Sequence, residues 1–289
     1  MSMCSDSDVG GVSDSMGTVL ATDNALFDAA VSGSTEELER LLLQVADAHS
    51  NGNPSGLLDE SGRTLFYTAC MHGHVDVAQL LAARGLADAT RPNQLGVTPV
   101  CAAAHHGHLS AVRFLCEGPC SDEVDIELGD HYGARPVFAA CMSGHEDVVR
   151  YLVEEQRADV AFYTTEGQTC FFAACDQGQL QIAYYLAGLL SSEDVAAVTT
   201  RGWSPLIAAA CRGHDEVVEF LLRHEDVLAA DPGATTRAGE TAFFGAAFFG
   251  QDVAARQLAT SAPDTVFRAN MDGQTPLYAA ARRASRPFD

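Results

Sequence analysis

Seven glycines, Gly62, Gly96, Gly133, Gly167, Gly202, Gly239 and Gly273, follow one another at intervals of 34, 37, 34, 35, 37 and 34 residues. A self-similar period of this length marks a stacked-repeat architecture, in which no single unit buries its apolar face alone. A second glycine follows each of the first six after 11 residues: Gly73, Gly107, Gly144, Gly178, Gly213 and Gly250. The constant inner interval, with slack of up to 3 residues between units, describes a rigid unit on adjustable connections.

Residue types recur inside the unit. Two positions after the first glycine stand Thr64, Thr98, Thr169, Ser204, Thr241 and Thr275, with Arg135 the exception. A short hydroxyl side chain there accepts a hydrogen bond from the first turn of a helix. Pro99, Pro136, Pro205 and Pro276 come next, at the position where a missing N–H costs nothing. Apolar and small residues follow, as in Phe171-Phe172-Ala173-Ala174, and the second glycine ends a helix of two turns. A second helix is predicted from apolar spacing such as Val217, Val218, Phe220 and Leu221.

These residues resemble the ankyrin-repeat family. The closest likeness lies in Gly96-Val97-Thr98-Pro99 with Ala102-Ala103 and Gly107-His108, and in Gly202-Trp203-Ser204-Pro205-Leu206 with Ala208-Ala209 and Gly213-His214. One departure is systematic. Where the family usually carries His after the apolar residue, this chain has Tyr67, Cys101, Phe138, Phe172, Ile207, Phe244 and Tyr278, so packing replaces a hydrogen bond. The resemblance implies an all-α solenoid of paired antiparallel helices with β-turn or hairpin fingers, of about seven units plus a partial last one.

The repeat domain is expected over residues 24–286, with units near 24–43, 59–88, 93–116, 130–160, 164–190, 199–224, 236–260 and 270–286. Residues 1–23, acidic and rich in Gly and Ser, are expected to form a disordered tail. The first unit lacks the preceding turn, and its polar Ser32, Glu36, Glu37, Glu39 and Arg40 suit an end cap. The last stops after one helix, either as a fragment or with Arg282, Arg283 and Arg286 as a minimal cap.

Charge narrows the classes of partner. With 17 basic and 39 acidic residues the net charge is −22, which disfavours nucleic acid and anionic membrane. No apolar run approaches the roughly 18 residues of a membrane span. Nine cysteines without paired spacing, and an acidic N-terminal stretch, point to a reducing cytoplasmic or nuclear setting. All 17 basic residues are Arg. Scarce Asn and Ile make codon bias the plain explanation, and a ubiquitin-ligase adaptor that escapes modification on lysine is the sharper one.

Motifs for chemistry are weak. Cys70, Cys141 and Cys175 alternate with Ala at one register, as small buried slots do, and no base is positioned to activate a thiol. His105, His106 and His108 cluster without a Cys or carboxylate at matched spacing for zinc. His108 instead fits the repeat, with His74, His145 and His214, in a local hydrogen bond. The acidic run Asp122, Glu123, Asp125 and Glu127 lacks the glycine and closing Glu of a calcium loop and reads as solvated charge. No cofactor and no enzymatic activity are expected.

The resemblance places a contact surface on the turn tips and the exposed side of each first helix, the inner face of a cupped stack. Its turn tips include His131, Tyr132, Glu166, Arg201, Trp203, Arg237 and Glu240, and its helices offer Met71, His72, His105, His106, Met142, Asp176, Gln177, Arg212, Phe248 and Phe249. Six arginines (Arg63, Arg201, Arg212, Arg237, Arg282, Arg283) but only five acids (Glu60, Glu166, Asp176, Glu240, Asp272) map to this face, leaving it nearly neutral within an acidic shell. Trp203 is expected to face solvent, and Phe249 to present a contact or fold beneath the last turn. The expected function is protein binding through this groove by a monomeric scaffold, adaptor or inhibitor. Alternatives are the substrate-binding part of a ubiquitin ligase and the targeting arm of a catalytic domain beyond residue 289.

Overall fold

In a computed structural model the described residues are 11–48, 57–224 and 230–284. They form sixteen α-helices and no strand, with one isolated antiparallel bridge between Thr235 and Thr241. The chain packs as two compact units, Met1–Ala103 with His108–Asp125, and Ala104–Gly107 with Ile126–Asp289.

The first unit contains α1 (Gly11–Ser32), α2 (Thr35–Ala48), α3 (Leu65–Met71), α4 (Val75–Ala83), α6 (Leu109–Glu117) and all but the end of α5 (Pro99–His105). Helix α1 begins earlier than the tail expected over residues 1–23 allows. Residues 1–10 of that expected tail lie outside the described residues.

The second unit holds α7 (Pro136–Ser143), α8 (Glu146–Arg150, continued by a π-helical turn Tyr151–Glu155), α9 (Cys170–Asp176), α10 (Leu180–Ala187) and the short α11 (Ser192–Val195). It continues with α12 (Pro205–Arg212), α13 (Asp215–Arg223), α14 (Ala242–Phe249), α15 (Asp252–Ser261) and α16 (Pro276–Ala284). The first helices α7, α9, α12, α14 and α16 pack side by side in one row, and α8, α10, α13 and α15 form a second. The interior between the rows is made by Val137, Phe171, Leu206, Ile182, Leu186, Val218 and Leu258, all buried.

Six hydroxyl side chains cap their helices as the sequence spacing predicts. The backbone N–H groups of Tyr67, Cys101, Phe172, Ile207, Phe244 and Tyr278 donate to Thr64, Thr98, Thr169, Ser204, Thr241 and Thr275 over 3.0–3.3 Å. Each such cap contributes about 1 kcal/mol. Arg135 makes no cap. Its guanidinium lies 4.2 Å above the ring of Phe162 and pairs with Glu127 and, at 3.3 Å, with Asp159. Glu127 also accepts the Asp159 N–H at 2.9 Å, so it is a structural group, whereas Asp122, Glu123 and Asp125 are exposed.

Turn tips are joined by backbone bonds from one repeat to the next. In the second unit Thr165 donates to Tyr132 O, Thr200 to Glu166 O, Arg237 to Arg201 O and Met271 to Ala238 O, over 2.8–3.0 Å. The histidines after the second glycine bond differently from the expected local contact. Nε2 of His74, His145 and His214 lies 2.8–3.0 Å from the carbonyl oxygens of Val31, His105 and Asp176, each in the preceding repeat. A carbonyl only accepts, so each ring carries its proton on Nε2. Gln251 takes the same place with a bond of 3.3 Å to Cys211 O.

The cysteine slots are packing positions: Cys70, Cys141 and Cys175 are fully buried, as is Cys170. Burial pushes the thiols of Cys70, Cys170 and Cys175 well above the usual thiol range, which removes them as nucleophiles.

Candidate functional site

The register that places Trp203 recurs in every repeat. Arg63, Val97, Ala134, Gln168, Trp203, Glu240 and Gln274, each just after its first glycine, are all half-buried. Trp203 is thus a wall rather than a solvent-facing tip, contrary to the expectation from its mixed residue types. The turn beneath holds it in place: Thr199 N–H donates to Trp203 O at 3.0 Å, and Trp203 N–H donates to Thr199 Oγ1 at 3.1 Å.

Beside the indole opens a cavity of about 140 Å³, walled by Trp203, Ile207, Glu240, Phe244, Phe248 and Phe249. Cys211 and Gly245 also line it. The other repeats carry Thr68, Ala102, Ala139, Ala173, Ala208 and Ala279 at the position of Gly245. A Cβ on Gly245 would come within 2.2 Å of Cys211 Sγ, so glycine here permits the close approach of α14 to α12. The Cys211 thiol is pushed up to about 12, by burial first and then by the charges of Glu240 and Asp176, while Arg212 acts in the opposite sense.

Phe248 and Phe249 meet edge to face, with centroids 4.9 Å apart and planes at 89°. Phe248 is half-buried and Phe249 is 41% exposed, so Phe249 does not fold beneath the last turn. Arg283 lies over both rings, 5.0 Å from the centroid of Phe249 and 5.7 Å from that of Phe248, and its Nη1 donates to Phe248 O at 3.1 Å. The aromatic pair already holds one guanidinium.

Three other expected contact residues form a network next to this cavity. Arg212 Nε donates to Asp176 Oδ1 at 2.8 Å, and Gln177 Nε2 donates to Asp176 Oδ2 at 2.9 Å. The Arg212 side chain is half exposed, and Asp176 is largely covered. The pair is therefore preorganised, with its bonded edge fixed before any partner arrives. Arg201 and Arg237 are exposed, and neither makes an ion pair among the described residues.

The remaining expected residues lie elsewhere on the second unit. His131 and Tyr132 are exposed at a turn tip, Tyr132 by 59%. Met142 is exposed at the end of α7. His105 and His106 contact edge to face at 5.0 Å, and His105 Nδ1 lies 2.9 Å from Ser143 Oγ. Burial holds the His105 imidazole below its usual value, with the neighbouring His106 and His145 acting in the same direction. Among the described residues no group of His, Cys, Asp and Glu is arranged to hold a metal ion. No helix among them is long and apolar enough to cross a membrane.

Thr199 is the residue that sequence reasoning does not select for the site, whereas Glu240 is expected among the turn tips and lies at the cavity wall. The signal for Thr199 was available: three positions before each first glycine stand Asp59, Asn93, Asp130, Thr164, Thr199, Thr236 and Asn270, all able to accept backbone N–H bonds within the turn.

Comparison with known families places this geometry. Residues 26–130, 84–164, 120–189, 156–231 and 172–266 match the family described as Ankyrin repeats (3 copies). The ankyrin repeat-containing protein ITN1 of Arabidopsis thaliana is 38% identical over 77 residues, which are 26% of this chain and 13% of that protein. Ankyrin repeat domain-containing protein 63 of Homo sapiens is 38% identical over 88 residues, 30% of this chain and 23% of its own length. Its Mus musculus counterpart matches equally over 88 residues, 22% of its length, so the chain covers less than a quarter of each of these relatives. With the matched segments spanning most of its length, and the capped helix pairs and bonded turn tips that account for them, the chain belongs to the ankyrin-repeat family.

Proposed function

We propose that the chain binds a protein partner through the turn-tip and first-helix face of its second unit, as a scaffold, adaptor or inhibitor without chemistry of its own. Ankyrin repeats are in general protein-interaction modules. The observation that carries the reading here is the Trp203 cavity with the Arg212–Asp176 pair beside it. Repeats that only need to stack have no use for an open aromatic cavity flanked by a preorganised ion pair. Trp and Arg are also the residue types that dominate binding energy at protein interfaces. His131, Tyr132, His105, His106 and Met142 extend the proposed surface along the same unit. The eight described cysteines are free thiols, which supports a cytoplasmic or nuclear setting.

Substrate adaptor of a ubiquitin ligase is a second reading, favoured by the absence of any lysine among 289 residues. Affinity capture from the native organism tests both. Wild type, Trp203→Ala with Arg212→Ala, and a charge-reversed Asp122, Glu123 and Asp125 variant are compared by quantitative mass spectrometry. A protein lost only with the first variant supports the face. Ligase subunits among the captured proteins support the adaptor reading.

A further inference from the structure

We propose that the Trp203 cavity receives the guanidinium group of an arginine side chain carried by the partner. The proposal rests on the reading that this face binds protein, and it names the chemistry of the contact.

Size comes first. Sites for cofactors and drug-sized ligands occupy about 300–1,000 Å³. At about 140 Å³ the cavity accommodates the head of one side chain. Its walls then select among side chains. Four aromatic rings, Trp203, Phe244, Phe248 and Phe249, surround it, and a cation over an aromatic face is attracted by the ring quadrupole, most strongly by tryptophan.

Glu240 decides the sign of the charge. It is half-buried at the cavity wall, and among the described residues no basic side chain pairs with it. Its one side-chain hydrogen bond comes from Thr236 Oγ1 at 3.4 Å. An apolar guest would strip water from this carboxylate and return nothing, whereas a cationic guest replaces the lost water with an ion pair. The net charge of −22 further speeds the approach of a cationic partner.

Planarity favours guanidinium over ammonium. A guanidinium is more weakly hydrated, stacks on aromatic faces and keeps in-plane donors for a carboxylate. The protein supplies its own precedent, since Arg283 stacks on the Phe248–Phe249 pair without belonging to the cavity wall.

Trp203 is the only tryptophan in the chain, so its fluorescence reports on this cavity alone. The full chain is titrated with acetyl-Gly-Gly-Arg-Gly-Gly-amide and with the same peptide carrying citrulline, trimethyllysine or leucine in place of arginine. The arginine peptide is expected to give a saturable change, with citrulline, its neutral isostere, weaker by about 10-fold. Glu240→Gln, which retains an acceptor for Thr236, is expected to weaken the arginine peptide by about 10-fold and leave the citrulline peptide unchanged. Equal binding of arginine and citrulline, tighter binding of leucine or trimethyllysine, or no saturable response to arginine each overturns the proposal. A partner captured by wild type separates the two readings. If Trp203→Ala abolishes its binding while a folded Glu240→Gln binds as wild type, the arginine contact is wrong and the protein-binding face stands. If neither variant matters, the face itself is wrong.

Discussion

The imidazole of His214 occupies the space that a side chain on Gly178 would need. A Cβ on Gly178 would lie 2.5 Å from His214 Nδ1, and the ring is fixed there by its Nε2 bond of 2.9 Å to Asp176 O. Gly178 has φ of +75°, so it meets two demands at once, a left-handed helix end and a close approach by the next repeat. The same Asp176 carries the carboxylate that holds Arg212. The stacking of α9 on α12 and the geometry of the proposed contact face are therefore one arrangement.

Gly178→Ala is expected to cost about 2 kcal/mol, from the left-handed backbone and from displacement of the ring. His214→Ala alone should cost about 1 kcal/mol through the lost hydrogen bond. In the double variant the clash is absent, so urea denaturation should show a combined loss smaller than the sum. Strict additivity would mean that the ring does not limit residue 178.

Gly245→Ala is expected to press on Cys211 and cost about 1–3 kcal/mol by overpacking. Cys211→Ala in the same chain should recover most of that loss, because the clash is with Sγ at 2.2 Å. Thermal melts of the two single variants and the double variant check this. An unrescued double variant would place the strain elsewhere.

Thiol accessibility follows burial. Native-state alkylation followed by peptide mass spectrometry should modify the half-buried Cys116 and Cys120 before Cys70, Cys141, Cys170 and Cys175. Replacing Cys70, Cys141 or Cys175 by Ala should cost on the order of 1 kcal/mol and leave partner binding unchanged. Early labelling of Cys175 would show an opening that the packed first helices do not predict.

The His105 imidazole is held low by burial, His106 and His145, so the folded protein binds this proton less readily than the unfolded chain. Its contribution to stability is complete above the unfolded value of about 6.5 and declines as pH falls below it. His105→Asn should flatten the loss of stability between pH 7 and pH 5. Urea midpoints at the two pH values read the effect, and an unchanged slope would contradict it.

Much of the fold was legible because its determinants are short-range. The caps at Thr64 through Thr275 and the helix-ending glycines need only the identity of one residue and its spacing from the next. Interactions that cross repeats were not legible. The bond from His214 to Asp176 spans 38 positions, and the close approach of Gly245 to Cys211 joins two first helices of neighbouring repeats. Arg135 reads as a missing cap, yet its role lies in Glu127, Asp159 and Phe162, which only the folded turn assembles. For the contact face, residue type picked out Trp203, Arg212 and the Phe248–Phe249 pair. Spacing also puts Glu240 among the turn tips, but its place beside the aromatic rings of Trp203 and Phe244 emerges only in the folded chain.

The central claim is that a partner binds at the Trp203 face. Isothermal titration of that partner with folded Trp203→Ala and with the charge-reversed Asp122, Glu123 and Asp125 variant tests it most directly. Trp203→Ala is expected to weaken binding by about 2 kcal/mol, roughly 30-fold, while the reversed loop changes association rate and salt dependence more than dissociation. Wild-type affinity in Trp203→Ala together with loss of the complex in the loop variant would contradict the account and move the partner to the acidic loop.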